Sequence, residues 1–257
     1  MDLTFSYKQV IPERVLDRWE FREVRNAAAI LHATNRRRFD ELVEILDSFE
    51  ILTSDLVTPG GQESDLAARL NSKFRDKGWR EARTDTVIQL KLQRFPYQGE
   101  PREEPFETEV VNPGYKVDNF VDRIASDVEW NAKDGNLDRD LGAYRFIYEA
   151  GLIDLGILVT RTQQDLRELG RQLGLQAGMP LDKAKKILGT TTTTNLDKLQ
   201  PRLTRGDSGG CPVLVAAMCA RTWEGAATQT VPPTVVVPDV SIEDEGAIEA
   251  ERLLAEG

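Results

Sequence analysis

Apolar positions recur at helical spacing through the first fifty residues, each stretch carrying one apolar stripe. Glu13 to His32, with the run Ala27-Ala28-Ala29-Ile30-Leu31, predicts one helix, and Arg37 to Phe49 predicts a second through Phe39, Leu42, Val43, Leu46 and Phe49. Thr58-Pro59-Gly60-Gly61 is a breaker, and Gln62 to Asp76 then reads as a helix ended by Gly78. Thr84 to Leu90 is β-branched enough for a strand, whereas residues 95–114 are punctuated by proline and glycine and predict a long acidic loop or insertion. Lys116 to Val121 and Ile124 to Trp130 read as two strands joined by an Asp122-Arg123 turn.

Asp138 is placed to cap a helix over Arg139 to Ala150, stopped by Gly151. Leu152 to Thr160 has the continuous apolar character of a buried strand, and Gln163 to Leu173 reads as a helix ended by Gly174. A short basic helix over Asp182 to Leu188, the polar run Thr190 to Thr194 and a buried strand over Cys211 to Met218 complete the pattern. The order helix, strand, hairpin, helix, strand predicts an α/β fold with an αβββαβ core, a mixed sheet flanked by helices, preceded by an N-terminal helical region. We divide the chain into a helical region at 1–57, a core at 58–223 and an acidic extension at 224–257.

Composition changes this picture little, since 40% hydrophobic and 30% charged residues describe an ordinary globular chain. No apolar run has the length of a membrane span and no signal peptide opens the sequence, so an intracellular location is expected. Cys211 and Cys219 both lie in or beside an apolar run and read as buried free thiols. The net charge of −10 argues against indiscriminate coating of nucleic acid. Residues 231–257 hold seven acids and one base, a net −6, so the remaining body is only mildly acidic and has room for a basic cleft.

The chemistry concentrates in the hairpin. If Asp122-Arg123 is its tip, residues whose numbers sum to 245 face each other, which sets Asp118 opposite Asp127. Glu129 follows Asp127 on the same face, because strand side chains alternate with period two. Like charges facing each other in a ladder cost up to ~1 kcal/mol. Such a cluster calls for a compensating cation, and a hard divalent ion takes carboxylate oxygens alongside substrate phosphates. A metal-dependent phosphoryl-transfer site is one reading; a charged sheet face turned to solvent is the other.

Asp118, an eight-residue gap, Asp127, Val128 and Glu129 together resemble the active-site signature of the PD-(D/E)xK nucleases, and Val117 to Arg161 is similar to the BglII-type restriction endonucleases. Lys77 to Thr86, Leu199 to Leu203 and Gly209 to Leu214 support that resemblance, which covers much of residues 60–215. Two departures stand out. The family usually has Glu where this chain has Asp127, and BglII has Gln at the place of Glu129, although Glu there occurs in other restriction enzymes of the superfamily.

The resemblance implies a type II restriction endonuclease that hydrolyses double-stranded DNA in the cytoplasm of a prokaryotic cell. It further implies a homodimer, Mg²⁺ with Mn²⁺ as a substitute, and a cognate DNA methyltransferase as a genetic partner only. Asp118 and Asp127 are the expected metal ligands, and Glu129 is expected to position the attacking water. Glu81, in the Gly-Trp-x-Glu stretch, is the preferred further acid, with Glu63 second. The early helices are expected to share in the dimer.

Around this centre, Asn131, Lys133, Arg139, Thr192, Thr193 and Asn195 are candidate DNA contacts, because amide, hydroxyl and cationic side chains bond to phosphates and base edges. The cluster Asn35-Arg36-Arg37-Arg38 reads better as a solvated helix start than as a phosphate contact. Gly206-Asp207-Ser208-Gly209-Gly210 matches the sequence around a serine-protease nucleophile, but the only histidine, His32, falls in the buried pattern of a helix, so a glycine-rich turn is the better reading. Rival functions are a non-catalytic DNA-binding domain and a non-restriction nuclease of the same fold.

Overall fold

A computed structural model describes residues 1–58 and 64–227, with the backbone alone at Pro113. The chain divides into the units Met1–Gly225 and Ala226–Gly257, and almost all of the second lies outside the described residues, as do Glu63 and most of the expected breaker at 58–61.

In chain order the first unit contains α1 (Tyr7–Val10), α2 (Glu13–Leu16), β1 (Trp19–Val24), α3 (Ala27–Thr34), α4 (Arg36–Asp47), α5 (Thr53–Val57) and α6 (Asp65–Asp76). Then come β2 (Arg80–Leu92), β3 (Phe106–Val121), β4 (Ile124–Val128), α7 (Gly135–Glu149), β5 (Leu155–Arg161) and α8 (Gln164–Gln176). The last elements are α9 (Leu181–Ala184), α10 (Leu196–Arg205) and β6 (Val213–Met218). The six strands form one mixed sheet in the order β1-β6-β5-β4-β3-β2, with β4, β5 and β6 mutually parallel and the other pairings antiparallel. This is the expected α/β nuclease core, in which β6 continues the sheet beyond β5 and β1, which was not expected, adds an edge strand outside β6.

Several expectations need correction. Glu13 to His32 is not one helix: Trp19 to Val24 forms an edge strand against β6, and Arg25 and Asn26, both at positive φ, turn the chain into α3. The proline-rich stretch is only partly a loop, since Phe106 onward is β3 and pairs with β2 from Leu92↔Phe106 inward. Asp138 does not cap α7; the helix begins at Gly135, and Asp138 instead receives two hydrogen bonds from Arg202, of 2.7 and 2.8 Å. Gly174 lies inside α8, buried where a side chain would meet Ile187 and Met179. His32 is half-exposed, edge-on to Phe39 and 2.7 Å from the Arg36 guanidinium.

One sheet face is sealed by α7 and α10. Leu137, Leu141, Tyr144 and Ile147 of α7 and Leu196, Leu199 and Leu203 of α10 meet Val117, Ala125, Leu158, Val213 and Val215. The hairpin pairing is the expected one, Val121↔Ile124, Phe120↔Ala125 and Asn119↔Ser126. Its tip is clamped from α4, where Arg38 donates to Asp122 at 2.8 Å and Asn35 both caps the helix and reaches Asp122. The basic cluster is therefore a helix start that holds the hairpin, and Arg38 is buried in doing so.

Candidate active site

β3 and β4 bring Asp118 and Asp127 together by a reciprocal arrangement. The Asp118 amide donates to Asp127 Oδ1 at 2.9 Å, and the Val128 amide donates to Asp118 Oδ2 at 3.1 Å. Between Arg80↔Phe120 and Ala82↔Val117 β3 holds one residue more than β2, so a β-bulge falls at Asp118-Asn119. Bulges bend a strand and re-aim its side chains, a common device beside reactive groups. Asn119 turns the other way and donates to Asn71 of α6.

Asp127 is 4% and Glu129 5% exposed, while Asp118 lies open to solvent. A fourth carboxylate, Asp140 of α7, is 2% exposed and joins them. Burial, then the charges of Asp140 and Asp118, push the Asp127 carboxyl up to about 8. Glu129 and Asp140 are both raised, chiefly by burial, and the charge of Asp140 raises Glu129 further. Asp127 Oδ2 and Asp140 Oδ2 are buried with no hydrogen-bond partner. An uncompensated buried carboxylate oxygen is costly.

Those orphaned oxygens fit a divalent cation. No three His, Cys, Asp or Glu among the described residues form a ready-made metal cage. Mg²⁺ does not need one, because it binds through one or two carboxylates and fills its octahedron with water and substrate phosphate oxygens. The nearest cation is Arg139, bonded to Asp140 at 3.0 Å and 3.8 Å from Glu129, with its side chain more than half exposed.

The acids rest on buried supports. Tyr144 is fully buried and donates to the Ile157 carbonyl at 2.7 Å, and its ring lies over Gly156, where any side chain would collide with it. Thr160 and Thr194 hydroxyls donate to the Glu129 carbonyl at 3.1 and 3.2 Å, fixing the backbone from which that carboxylate projects.

The candidate DNA contacts fall into two groups. Residues 131–134 run antiparallel to 192–194, through Thr194 N to Ala132 O at 2.8 Å, a Lys133↔Thr193 bridge and Asp134 N to Thr192 O at 2.9 Å. Asn131, Lys133 and Thr192 are exposed on this ribbon, with Arg139 exposed nearby in sequence. Thr193 and Asn195 serve the fold: Thr193 Oγ1 accepts from Arg161, and the buried Asn195 caps α10 by accepting from the Lys198 amide. Arg161 is itself wholly buried and also donates to Asn131 Oδ1 at 3.0 Å, so one guanidinium ties both strands of the ribbon to β5. Burial lowers it to about 10. Glu81 pairs with Lys116 at 2.6 Å, both exposed, and strand alternation turns it to the face opposite Ala82, away from α7.

Asp140, Tyr144 and Arg161 escaped the sequence reading. A signal existed for the first: Leu137, Leu141 and Tyr144 form an i, i+4, i+7 apolar stripe, and Asp140 at i+3 is a carboxylate inside it.

The sheet, the bulged Asp118 and the buried acids at and just after the end of β4 define a protein of the restriction-endonuclease-like class. The family model of restriction endonuclease BglII/BglIII matches residues 19–218, most of the chain, and the protein belongs to that family. As a member it is a nuclease acting on DNA. No curated protein matches the chain. No helix among the described residues is long and apolar enough to cross a membrane.

Proposed function

We propose that the protein is a type II restriction endonuclease that hydrolyses phosphodiester bonds of double-stranded DNA at a short palindromic site, acting in a prokaryotic cytoplasm. It acts as a homodimer with Mg²⁺, for which Mn²⁺ substitutes, and its cognate methyltransferase is a genetic partner only. The observation that carries this reading is the pair Asp118–Asp127, locked by reciprocal backbone bonds beside two buried acids with an orphaned oxygen on Asp127.

Asp118 and Asp127 would hold the ion. When bound, Mg²⁺ lowers the pKa of water and offsets charge on the scissile phosphate. Glu129, on a backbone fixed by Thr160 and Thr194, orients the attacking water and takes its proton. Asp140 holds Glu129 in place and modulates its proton affinity. Arg139 stands at the rim, where its exposed guanidinium suits a phosphate, and Asn131, Lys133 and Thr192 present donors and acceptors from the ribbon.

The test is cleavage of unmethylated phage DNA in Mg²⁺ by the native protein, Asp118→Ala and Asp127→Ala. Discrete bands from the native protein, lost in both variants, support the reading, and mapped ends supply the site. A folded native protein that binds DNA and cuts nothing in Mg²⁺ or Mn²⁺ overturns it in favour of a DNA-binding domain.

A further inference from the structure

Beyond Thr86 and Asn112, β2 and β3 run on as a two-stranded arm to Leu92 and Phe106, and nearly every residue of it is exposed. The directly paired residues Thr86↔Asn112, Ile88↔Val110, Leu90↔Thr108 and Leu92↔Phe106 share one face. No charge occurs on it. Strand alternation makes it the outward continuation of the face that carries Ala82 and Val117, which α7 covers in the body of the protein. The reverse face carries Val87↔Val111, Gln89↔Glu109 and Lys91↔Glu107, with Lys91 and Glu107 ion-paired.

An exposed apolar face on an arm is unfavourable in a solitary chain, since an isolated hairpin is marginal in water and contiguous apolar patches mark docking sites. We propose that this uncharged face of the β2–β3 arm docks on a second copy of the chain. The choice of partner rests on the homodimer of the proposed function; the surface does not.

Charge selects the occupant. DNA gains nothing from a face without a cation, and Glu107 and Glu109 behind it repel phosphate. A two-fold interface meets its own copy, so any charge near its axis would confront itself, and a neutral face avoids that. The apolar side chains supply more than half of the area a standard interface needs, and the polar border has to supply the rest. Leu92 and Phe106 are 63% and 65% exposed and Ile88, Leu90 and Val110 about half. At roughly 200 Å² of full exposure for a large side chain, they offer roughly 500 Å², against about 800 Å² per partner in a standard interface. Thr86, Thr108 and Asn112 border them as a polar rim. The early helices are less suited, since the outer side of α4 is covered with ions such as the Arg36–Asp40 pair.

Sedimentation equilibrium of the full chain without DNA, at about 10 μM, tests this independently of cleavage. The native chain and the reverse-face control Gln89→Lys are expected to be dimers. The double variant L90K/L92K is expected to be a monomer with unchanged circular dichroism, melting lower only by the stabilisation that association gave the native chain, its dimer dissociation constant raised at least ~100-fold. A monomeric native chain, or a dimeric L90K/L92K, overturns the assignment. So does an L90K/L92K dimer that has lost DNA affinity, which would give the arm to DNA. Cleavage by the native protein alongside any of these leaves the catalytic reading standing.

Discussion

The two ends of β3 place side chains where a solitary chain should not have them, in opposite senses. At its C-terminal end Asp118 lies against the buried Asp127, with Glu129 and Asp140 also withdrawn from water. At its N-terminal end Phe106 and Val110, with Leu92 and Ile88 across the ladder, are held out in water. Burying carboxylates and exposing apolar groups both cost free energy. Each end therefore advertises what is missing. Buried anions call for a cation and the phosphate it carries, and exposed hydrocarbon calls for more hydrocarbon.

Asp127 is the residue on which the acidic end depends most. Replacing it with Asn removes the proposed ligand and a buried titratable group at once. Cleavage should fall at least ~10³-fold, the several kcal/mol that a catalytic metal supplies, while above about pH 8, where the native carboxyl has lost its proton, the metal-free variant melts higher than native because the repulsion with Asp140 and Asp118 is relieved. An Asp127→Asn protein that both cuts and melts like the native one would remove Asp127 from the site. L90K/L92K at the other end should change association and make melting independent of protein concentration, without a loss of fold.

The next effect is on pH and metal. A folded-state pKa near 8 for Asp127 exceeds the unfolded carboxylate value, so the folded chain holds a proton that the unfolded chain has lost. That contribution is fully present below about pH 4 and is lost as pH rises through about 8. Metal-free protein should lose stability across this window. Mg²⁺ should restore it, increasingly toward pH 8, by about 2.7 kcal/mol at one hundred times Kd, or roughly 5–10 °C in Tm. Calorimetric scans at several pH values, with and without Mg²⁺, measure this, and a Tm indifferent to Mg²⁺ at pH 8 counts against a metal at these acids.

The same contrast explains what the sequence disclosed. The acidic hairpin was legible because the Asp122-Arg123 turn sets its register and acids at Asp118, Asp127 and Glu129 are rare companions on strands. The arm was hidden because Gly114 reads as a breaker. It lies at a second bulge, between Thr84↔Tyr115 and Thr86↔Asn112, where a side chain would overlap the Thr84 backbone, so the glycine continues the strand it seemed to end. β1 was lost because Trp19 to Val24 alternates for only six residues inside a longer helical pattern. α10 carries Pro201 in its interior. Asp140 and Arg161 owe their placement to tertiary packing, and only the misplaced polarity of Asp140 within an apolar stripe betrays it.

Asp140 carries the next prediction. Its charge acts on both Glu129 and Asp127 and it is not among the proposed metal ligands, so Asp140→Asn should reduce kcat about 10- to 100-fold, the usual loss for an outer-shell partner. It should also shift the pH dependence of kcat downward, because Glu129 loses the charge that raises its proton affinity. A rate loss with an unmoved pH profile would make Asp140 a packing residue.

Glu81 gives the smallest effect and separates the two ways of choosing a fourth acid. Sequence resemblance favours Glu81, whereas the fold favours Asp140. Glu81 is exposed, paired with an exposed Lys116, and turned to the sheet face opposite α7. Exposed pairs contribute about 0–1 kcal/mol, so Glu81→Gln should leave melting within about 4 °C and cleavage within about fivefold of native. A loss comparable to that of Asp140→Asn would mean that DNA binding moves β2 far enough to bring Glu81 around, and the arm would then be a moving part of the site rather than a fixed dimer contact.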